Sequence, residues 1–450
     1  MLRNFILTKG IPAASYFGYP LGKAFSLLRT SERWTREEIQ KHQARALRNL
    51  VEHCYHHVPY YRKLMKSKNL HPDDIKTVHD LAKFPYLTRD NIRKEGEGLR
   101  ADNYPDKVCQ FRRSGGTTGE PIKIALDIRA RAFEVAAYLR GYQWMNCRLG
   151  NPQVRLFGGS LGLSSNTGLR VKLKEWLYNS HLLPAFEMRQ ENVEDYIDVV
   201  RRAKEGILVG YASAVLNLAE HMSGRHIQGS PLRSVILTSE HIPEEWRIFV
   251  SQVFGAPVFC YYGCGEVNSL GYECKGEEGY IVPQEHVILE VGGEDSTVLR
   301  EEGRGEACIT TLFNYAMPLI RYLNSDVLAL KYPQKGRKHL RILRLEGRIM
   351  DQLTATDGHS IGSVLPTYMV QKSGVPVWKY QVVQTSAREI VFHYLLRDNA
   401  HLSTEDKDML KGMIRRYLGS DMAVKFVIGE FETTRSGKHR FAINRVTSSG

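Results

Sequence analysis

The sequence predicts an α/β protein, α+β overall, in which a large layered N-terminal body with a β-rich subdomain precedes a small α+β C-terminal domain. Three observations lead there. From Ile122 to about residue 260, short apolar runs alternate with helical patterns, as in a layered α/β body. From Val287 to Leu330 the pattern changes to short strands punctuated by glycine, GEACITTL and PLIRYL among them. Beyond residue 350, two strand-like runs, one amphipathic helix and a further strand make a unit of roughly a hundred residues, a usual domain size. At 450 residues and 42% hydrophobic content the chain can bury a large core and exceeds one typical domain. The expected division is a large domain over 1–346 and a small one over 347–450, with the boundary near 350.

The first 31 residues carry Arg3, Lys9, Lys23 and Arg29 with no acid. A surface helix packed on the body is expected, with contact to an anionic membrane or partner as the alternative. Pro12, Tyr16 and Pro20 interrupt the apolar residues and no small-residue cleavage site follows, so no signal peptide is expected. Over 36–67, Leu47, Leu50, Val51 and Cys54 share one helical face and Pro59 punctuates the turn into Tyr60-Tyr61, which predicts a packed helix pair. His53 and His57 stand four apart, a metal-capable spacing, but without a carboxylate motif they read as structural or surface histidines.

Ile122 to Leu126 reads as a strand and Arg129 to Trp144 as a helix. Val154–Phe157, Ile207–Val209, Val235–Leu237 and Val258–Tyr261 are buried-strand candidates. Val193, Tyr196, Ile197 and Val200 mark one helix face, and Glu244–Phe254 reads as another helix. Gly158-Gly159-Ser160-Leu161-Gly162 matches the nucleophile elbow of hydrolases, but Leu163 to Gly168 is turn-rich where that elbow demands a helix, so it reads as a loop. In the small domain, VWKYQVV and EIVFHYLL are strand-like, Leu410, Met413, Ile414, Tyr417 and Leu418 mark a helix face, and AVKFVI is a strand.

Composition narrows the function classes. The longest uncharged apolar run, around Gly206 to Ala219, is too short to span a bilayer, so no transmembrane segment is expected. Seven cysteines form no CxxC and are odd in number, which fits a reducing compartment and a cytoplasmic location. The net charge of +13 attracts anions, whether ATP, CoA phosphates, an acidic glycan or nucleic acid. No zinc-finger, RNP-type or helix-turn-helix signature is present, so no nucleic-acid partner is expected.

The most informative stretch is FRRSGGTTGEPIKI, from Phe111 to Ile124. Gly115, Gly116 and Gly119 let the backbone approach an anion, and Ser114, Thr117 and Thr118 add donors, a composition that suits a triphosphate. It is not a Walker A loop, because no Gly-Lys-Ser/Thr closes it. Four further stretches follow in order: YYGCGE at 261–266, NYAMPLIRYLNSD at 314–326, EGRIMD at 346–351 and TTRSGKHR at 433–440.

Together these stretches resemble the adenylate-forming superfamily, most closely its phenylacetate-CoA ligase-like branch and, within it, the capsular polysaccharide biosynthesis proteins. The resemblance implies a large ATP- and substrate-binding domain with a mobile C-terminal lid. It implies that Ser114 to Gly119 hold the β- and γ-phosphates, that Tyr262 stacks on adenine, and that Glu266 binds the Mg²⁺ that bridges phosphate oxygens. Asp326 would accept hydrogen bonds from both ribose hydroxyls, and Arg348 would contact the nucleotide at the hinge. Lys438 would deliver an ammonium to the α-phosphate, with Arg435 and Arg440 beside it.

The chain departs from the family in two ways that matter to function. Ser325 stands where the family usually has Gly, and Met350 where the hinge usually has Asp, with Asp351 next. The lid swing and the second half-reaction are therefore in question. The capsule-type relatives often hold a Cys-x-Cys-Gly segment where this chain reads Tyr332 to Arg337; only Cys264, Cys274, His286 and Cys308 remain, so zinc is not expected. The basic run Lys335, Arg337, Lys338, Arg341 and Arg344 would meet CoA phosphates or an acidic glycan, or simply protect a strand edge. The expected activity is conversion of a carboxylate to acyl-AMP with pyrophosphate release, then transfer to CoA or another acceptor, in association with polysaccharide biosynthesis. The alternatives are adenylylation of a phenol-like oxygen, as on a deazaflavin coenzyme, and a non-catalytic relative in polysaccharide assembly. The acyl pocket would be lined around Phe157 to Leu163 and Thr238 to His241, residues that do not name the substrate.

Overall fold

The computed structural model describes residues 20–113, 122–148, 150–157, 175–176, 179–185, 188, 191–227, 231–240, 242–292, 299–300, 302–333, 339–348, 353–358, 360–361, 365–396, 400–433 and 439–446. The chain divides into two compact units. One comprises Met1–Ser239, Glu245–Asn324 and Ala329–Arg344; the other comprises Glu240–Glu244, Ser325–Leu328 and Leu345–Gly450.

Among the described residues, the first unit opens with the helices Pro20–Ser31, Arg36–His57 and Pro59–Ser67. Thr35 and Glu38 form a reciprocal cap: the Glu38 N–H donates to Thr35 Oγ1 at 3.2 Å and the Thr35 N–H to Glu38 Oε2 at 2.7 Å. Leu47, Leu50, Val51 and Cys54 are fully buried, as their shared face predicts. Val58 ends one helix and starts the next, and Pro59 occupies the first turn where its missing N–H costs nothing.

β1 (Gln110–Arg113) and β2 (Lys123–Leu126) form an antiparallel hairpin in which Arg113 pairs with Lys123. The helix Ile128–Trp144 follows, capped by Asp127, whose Oδ1 accepts from the N–H of Arg129 at 2.7 Å and of Ala130 at 2.9 Å.

Among the described residues, most of the remaining strands up to Arg348 form one twelve-stranded sheet. Its strands are β3 (Gln153–Phe157), β4 (Ser180–Pro184), β5 (Ile207–Tyr211), β6 (Ser234–Thr238), β7 (Val258–Tyr262), β8 (Gly271–Glu273), β9 (Tyr280–Ile281), β10 (Val287–Gly292), β11 (Leu299–Arg300), β12 (Gly303–Thr311), β13 (Tyr322–Lys331) and β14 (Arg341–Arg348). They lie in the order β11-β10-β12-β13-β14-β9-β8-β7-β6-β5-β3-β4. β4, β3, β5, β6 and β7 run parallel, connected in part by the helices Val193–Arg202, Ala212–Gly224 and Glu244–Phe254. Every residue of β5 and β6 is buried, as strands covered on both faces require. β7 to β9 pair antiparallel, and so do β10 to β12, which fall in the β-rich stretch that the glycine-punctuated sequence predicts from Val287 to Leu330.

One strand-like segment, MPLIRYLNSD at 317–326, is displaced along the chain: the strand observed is Tyr322–Lys331. MPLIRYLNSD is extended only from Tyr322, because Arg321 adopts a left-handed φ of 54° that interrupts extended backbone, and its N–H donates to Thr310 Oγ1 at 3.0 Å. Asp326 therefore lies inside β13 rather than at its end.

The second unit holds the hairpin β15 (Leu353–Thr354) and β16 (Ser360–Ile361), the helix Leu365–Ser373, β17 (Val377–Ser386), β18 (Glu389–Leu396), the helix Thr404–Leu418, β19 (Ala423–Ile428) and β20 (Ala442–Asn444). Its four-stranded sheet has the order β19-β18-β17-β20. Leu410, Ile414 and Leu418 bury one face of the second helix, whose start is closed by Ser403 and Asp406 in a capping box.

Candidate active site

In open parallel sheets, ligands bind beyond the C-terminal ends of the strands. Register brings Tyr211, Thr238 and Tyr261 into one row there, at the ends of β5, β6 and β7. β7 closes with Tyr262 and hands over to a tight loop, in which the Cys264 N–H donates to Val267 O at 2.9 Å and the Leu270 N–H to Tyr262 O at 3.1 Å. A Cβ at Gly263 would stand 2.3 Å from Asn268 O, so only glycine fits the turn.

That loop delivers Glu266, which is only 4% exposed. Its Oε1 accepts from Arg89 Nη2 at 2.8 Å and from the Tyr322 hydroxyl at 3.0 Å. Burial, reinforced by the negative charge of Glu266, pushes the Tyr322 hydroxyl far above its ordinary range, so it remains a donor. Among the described residues Oε2 takes no hydrogen bond, which leaves one hard anionic oxygen on a carboxylate whose orientation is fixed.

Tyr262 is buried, and its hydroxyl accepts from Asn324 Nδ2 at 2.9 Å. Asn324 and Asp326 stand two apart on β13, with Ser325 between them at a φ of 68°. The family's usual glycine at Ser325 thus has a physical reason: the backbone there is left-handed. Arg348 closes β14. Ser114, Gly115, Gly116, Thr117, Thr118 and Gly119 lie outside the described residues, as do Met350, Asp351 and Lys438.

The bases of both predicted loops are described. The stretch after Arg113 is the connection of the β1–β2 hairpin. Just before it, Arg112 makes a bidentate pair with Glu134 of the helix Ile128–Trp144, at 3.0 and 2.6 Å, and Glu134 also accepts the Asn268 N–H at 3.2 Å. Burial opposes the charge on Arg112, but Glu134 outweighs it and holds the guanidinium above its usual range. One carboxylate thereby ties the foot of the glycine loop to the Glu266 loop.

In the second unit, Thr433 and His439 pair in a bridge across the foot of the loop that contains Lys438. Gln381 of β17, fully buried, clamps both limbs: its Nε2 donates to Glu432 O and Arg440 O, each at 2.8 Å, and its Oε1 accepts the Glu432 N–H at 2.9 Å. His439 is held by Tyr380 O at 2.9 Å, and burial pushes its pKa down to about 4.

Other sequence candidates are engaged elsewhere. His53 lies 2.8 Å from Tyr315 O and His57 Nδ1 lies 3.0 Å from Asp102, so the histidine pair is structural. Arg341 is buried in a pair with Glu277 and donates to Glu278 O at 3.3 Å, so it is not a surface anion receptor. Cys308 is buried, and burial raises its thiol pKa. Among the described residues no cluster of histidine, cysteine and carboxylates is arranged to hold a metal, and no helix is long and apolar enough to cross a membrane.

Arg89, Tyr322, Glu134 and Gln381 escaped the sequence reading. Each acts across a long separation, 177 residues for Arg89 to Glu266, and no local spacing signals it.

No protein-family model matches the chain. It is 28% identical over 339 residues to phenylacetate-coenzyme A ligase of Aromatoleum evansii, covering 72% of this chain and 73% of that one. The ligase of the same name from Escherichia coli K12 is 28% identical over 345 residues, covering 70% and 72%. Among solved structures, 2-hydroxyisobutyryl-CoA ligase in the postadenylation state, in complex with 2-HIB-AMP, aligns with a TM-score of 0.71 at 17% identity over 89% of this chain and 88% of that one. The amide bond synthetase McbA of Marinactinospora thermotolerans aligns at 0.51 and 15% identity over 75% and 69%. The chain has the two-unit fold of the adenylate-forming ligases, is homologous to the phenylacetate-coenzyme A ligases over most of its length, and is an enzyme of that adenylate-forming type.

Proposed function

We propose that the protein activates a carboxylate with ATP, releasing pyrophosphate to give an acyl-adenylate, and passes the acyl group to CoA. The observation that carries this reading is Glu266: a buried carboxylate at the end of a parallel strand, oriented through one oxygen by Arg89 and Tyr322. Such a group suits Mg²⁺, which takes one or two carboxylates together with substrate phosphates. The metal would neutralise charge on the phosphate oxygens.

The chain's own residues divide the remaining work. Arg89 and the Tyr322 hydroxyl hold Glu266 in one orientation through its Oε1. Tyr262, fixed by Asn324, presents a rigid ring for the adenine, and Asp326 on the same strand as Asn324 would receive the ribose hydroxyls. Ser114 to Gly119, which follow Arg112 and Arg113 in sequence, would supply the phosphate-facing N–H groups. Lys438, on a loop clamped by Gln381, would supply a positive charge at the α-phosphate. Arg348 would contact the nucleotide at the hinge.

The CoA acceptor is supported by the homologous ligases. A place in polysaccharide production would follow from the resemblance of the sequence motifs alone. The deciding measurement is ATP–pyrophosphate exchange against a panel of aryl, fatty, amino and sugar acids. Exchange with one acid, reduced about a hundredfold or more in Lys438→Ala and in Glu266→Gln, is the expected result. Failure of every acid despite measurable ATP·Mg²⁺ binding would count against carboxylate activation.

A further inference from the structure

Five buried or half-buried arginines of the first unit pair with carboxylates: Arg89 with Glu266, Arg112 with Glu134, Arg140 with Glu285, Arg247 with Glu273 and Arg341 with Glu277. Arg321, also buried, donates to the carbonyl oxygens of Ala82 and Phe84 instead. Arg155 has neither kind of partner among the described residues. It is only partly exposed, its Nε is fully buried without an acceptor, and among the described residues no hydrogen bond or ion pair engages its guanidinium. Leaving such a cation unpaired is costly unless something else completes the site.

Its location says what that is. β3 alternates Val154 and Leu156, both fully buried on one face, with Arg155 and Phe157 on the other. Register sets Arg155 between Leu182 of β4 and Val209 of β5. The guanidinium carbon stands 5.5 Å from the Phe157 ring centroid, so the side chain reaches toward the C-terminal end of the strand, the ligand side of the sheet. Phe157 meets Tyr211 edge-on at 5.2 Å, and Tyr138 meets Tyr261 edge-on at 6.1 Å. The fields of Tyr138, Tyr142, Tyr261 and Glu175 reach Arg155, but the Glu175 carboxylate accepts the Leu182 N–H at 3.2 Å and forms no pair with it.

We infer that Arg155 is the counter-ion of a second carboxylate on the acyl substrate, so that the enzyme takes a dicarboxylic acid, adenylating one end while the other pairs with Arg155 against Phe157, Tyr211 and Tyr261. This rests on the acyl-adenylation reading above. A guanidinium matches a carboxylate with two parallel N–H donors, and aromatic surroundings strengthen the pair. A mono-acid would leave the arginine unpaired and be rejected for that reason.

The test compares matched acids that differ only in a distal carboxylate, phenylacetate with 4-carboxyphenylacetate and butyrate with glutarate among a series of short aliphatic and aryl pairs. Full-length wild type, Arg155→Lys and Arg155→Leu are assayed by pyrophosphate exchange and, separately, by calorimetric binding of the acid. The wild type is expected to favour a diacid, and Arg155→Leu to lower the diacid-to-mono-acid ratio of kcat/KM on the order of a hundredfold, mainly through KM, with partial rescue in Arg155→Lys. A purely structural arginine would lower both acids together and leave the ratio unmoved, which overturns the inference. So does a panel in which no diacid binds the wild type better than its mono-acid. A diacid that binds through Arg155 but supports no exchange would keep the pairing and sink the adenylation reading.

Discussion

At the scale of single residues, the site is a set of side chains whose freedom has been removed. Glu266 is a loop acid by sequence and a buried, doubly held carboxylate in the fold. Ser325 shows how a departure from a family pattern acquires physical content. Its φ of 68° is one that glycine adopts freely and a β-branched residue resists. Ser325→Val is therefore expected to lower stability by about 1–2 kcal/mol in urea unfolding, while Ser325→Gly leaves it unchanged or raises it by up to about 1 kcal/mol. Equal melting of all three proteins would mean that the strand relaxes out of this conformation. The motif glycines, Tyr262 and Glu266 were legible in the sequence because they sit together in short segments. Arg89 and Tyr322 were not, because their roles exist only once distant segments meet.

Among the elements, the segment proposed to carry the catalytic Lys438 is defined by the support at its two ends. Gln381 makes three hydrogen bonds that fasten both limbs of that loop to β17. Gln381→Leu keeps the volume and deletes the clamp, so pyrophosphate exchange is expected to fall about ten- to a hundredfold through kcat, while ATP binding changes little. A loss confined to ATP binding would contradict that assignment.

His439 makes the same region acid-sensitive. Its folded pKa, pushed down by burial to about 4, lies below the ordinary 6.5, so the unfolded chain binds the proton first as pH falls. Stability is full above pH 6.5 and is lost progressively between pH 6.5 and 4, by up to about 3 kcal/mol. His439→Gln should flatten that part of the pH profile of unfolding of the second unit. An unchanged slope would show that the imidazole is not held neutral.

For the molecule as a whole, the N-terminal helix is fastened to the first unit by a buried ion pair. Arg140 meets Glu285 at 2.7 and 2.9 Å and also donates to Leu28 O at 2.9 Å, while Ser31 donates to Glu285. Burial tends to raise the Glu285 pKa, but Arg140 overrides it and holds the carboxyl well below the usual range. Glu285→Leu strands a buried guanidinium and is expected to cost about 3–5 kcal/mol, with much of the loss recovered in the double variant Arg140→Leu/Glu285→Leu. A double variant as unstable as the single one would show that the pair holds the helix by geometry rather than by charge compensation.

The sequence alone determined the layered α/β body, the β-rich segment and the strands and helix of the C-terminal unit. Those follow from periodicity within ten or twenty residues, such as the face of Leu47, Leu50, Val51 and Cys54, and local order needs no distant partner. It also carried the resemblance to the adenylate-forming ligases, because the motifs behind that resemblance lie in short segments. The tertiary structure decided where β13 begins, that Asp326 lies within it, that Arg341 is paired away, and that Arg155 is not. Each of these depends on which charges and donors meet across long stretches of chain. Whether a charged side chain is solvated, paired or waiting for a ligand is a property of its surroundings, which composition and spacing do not specify.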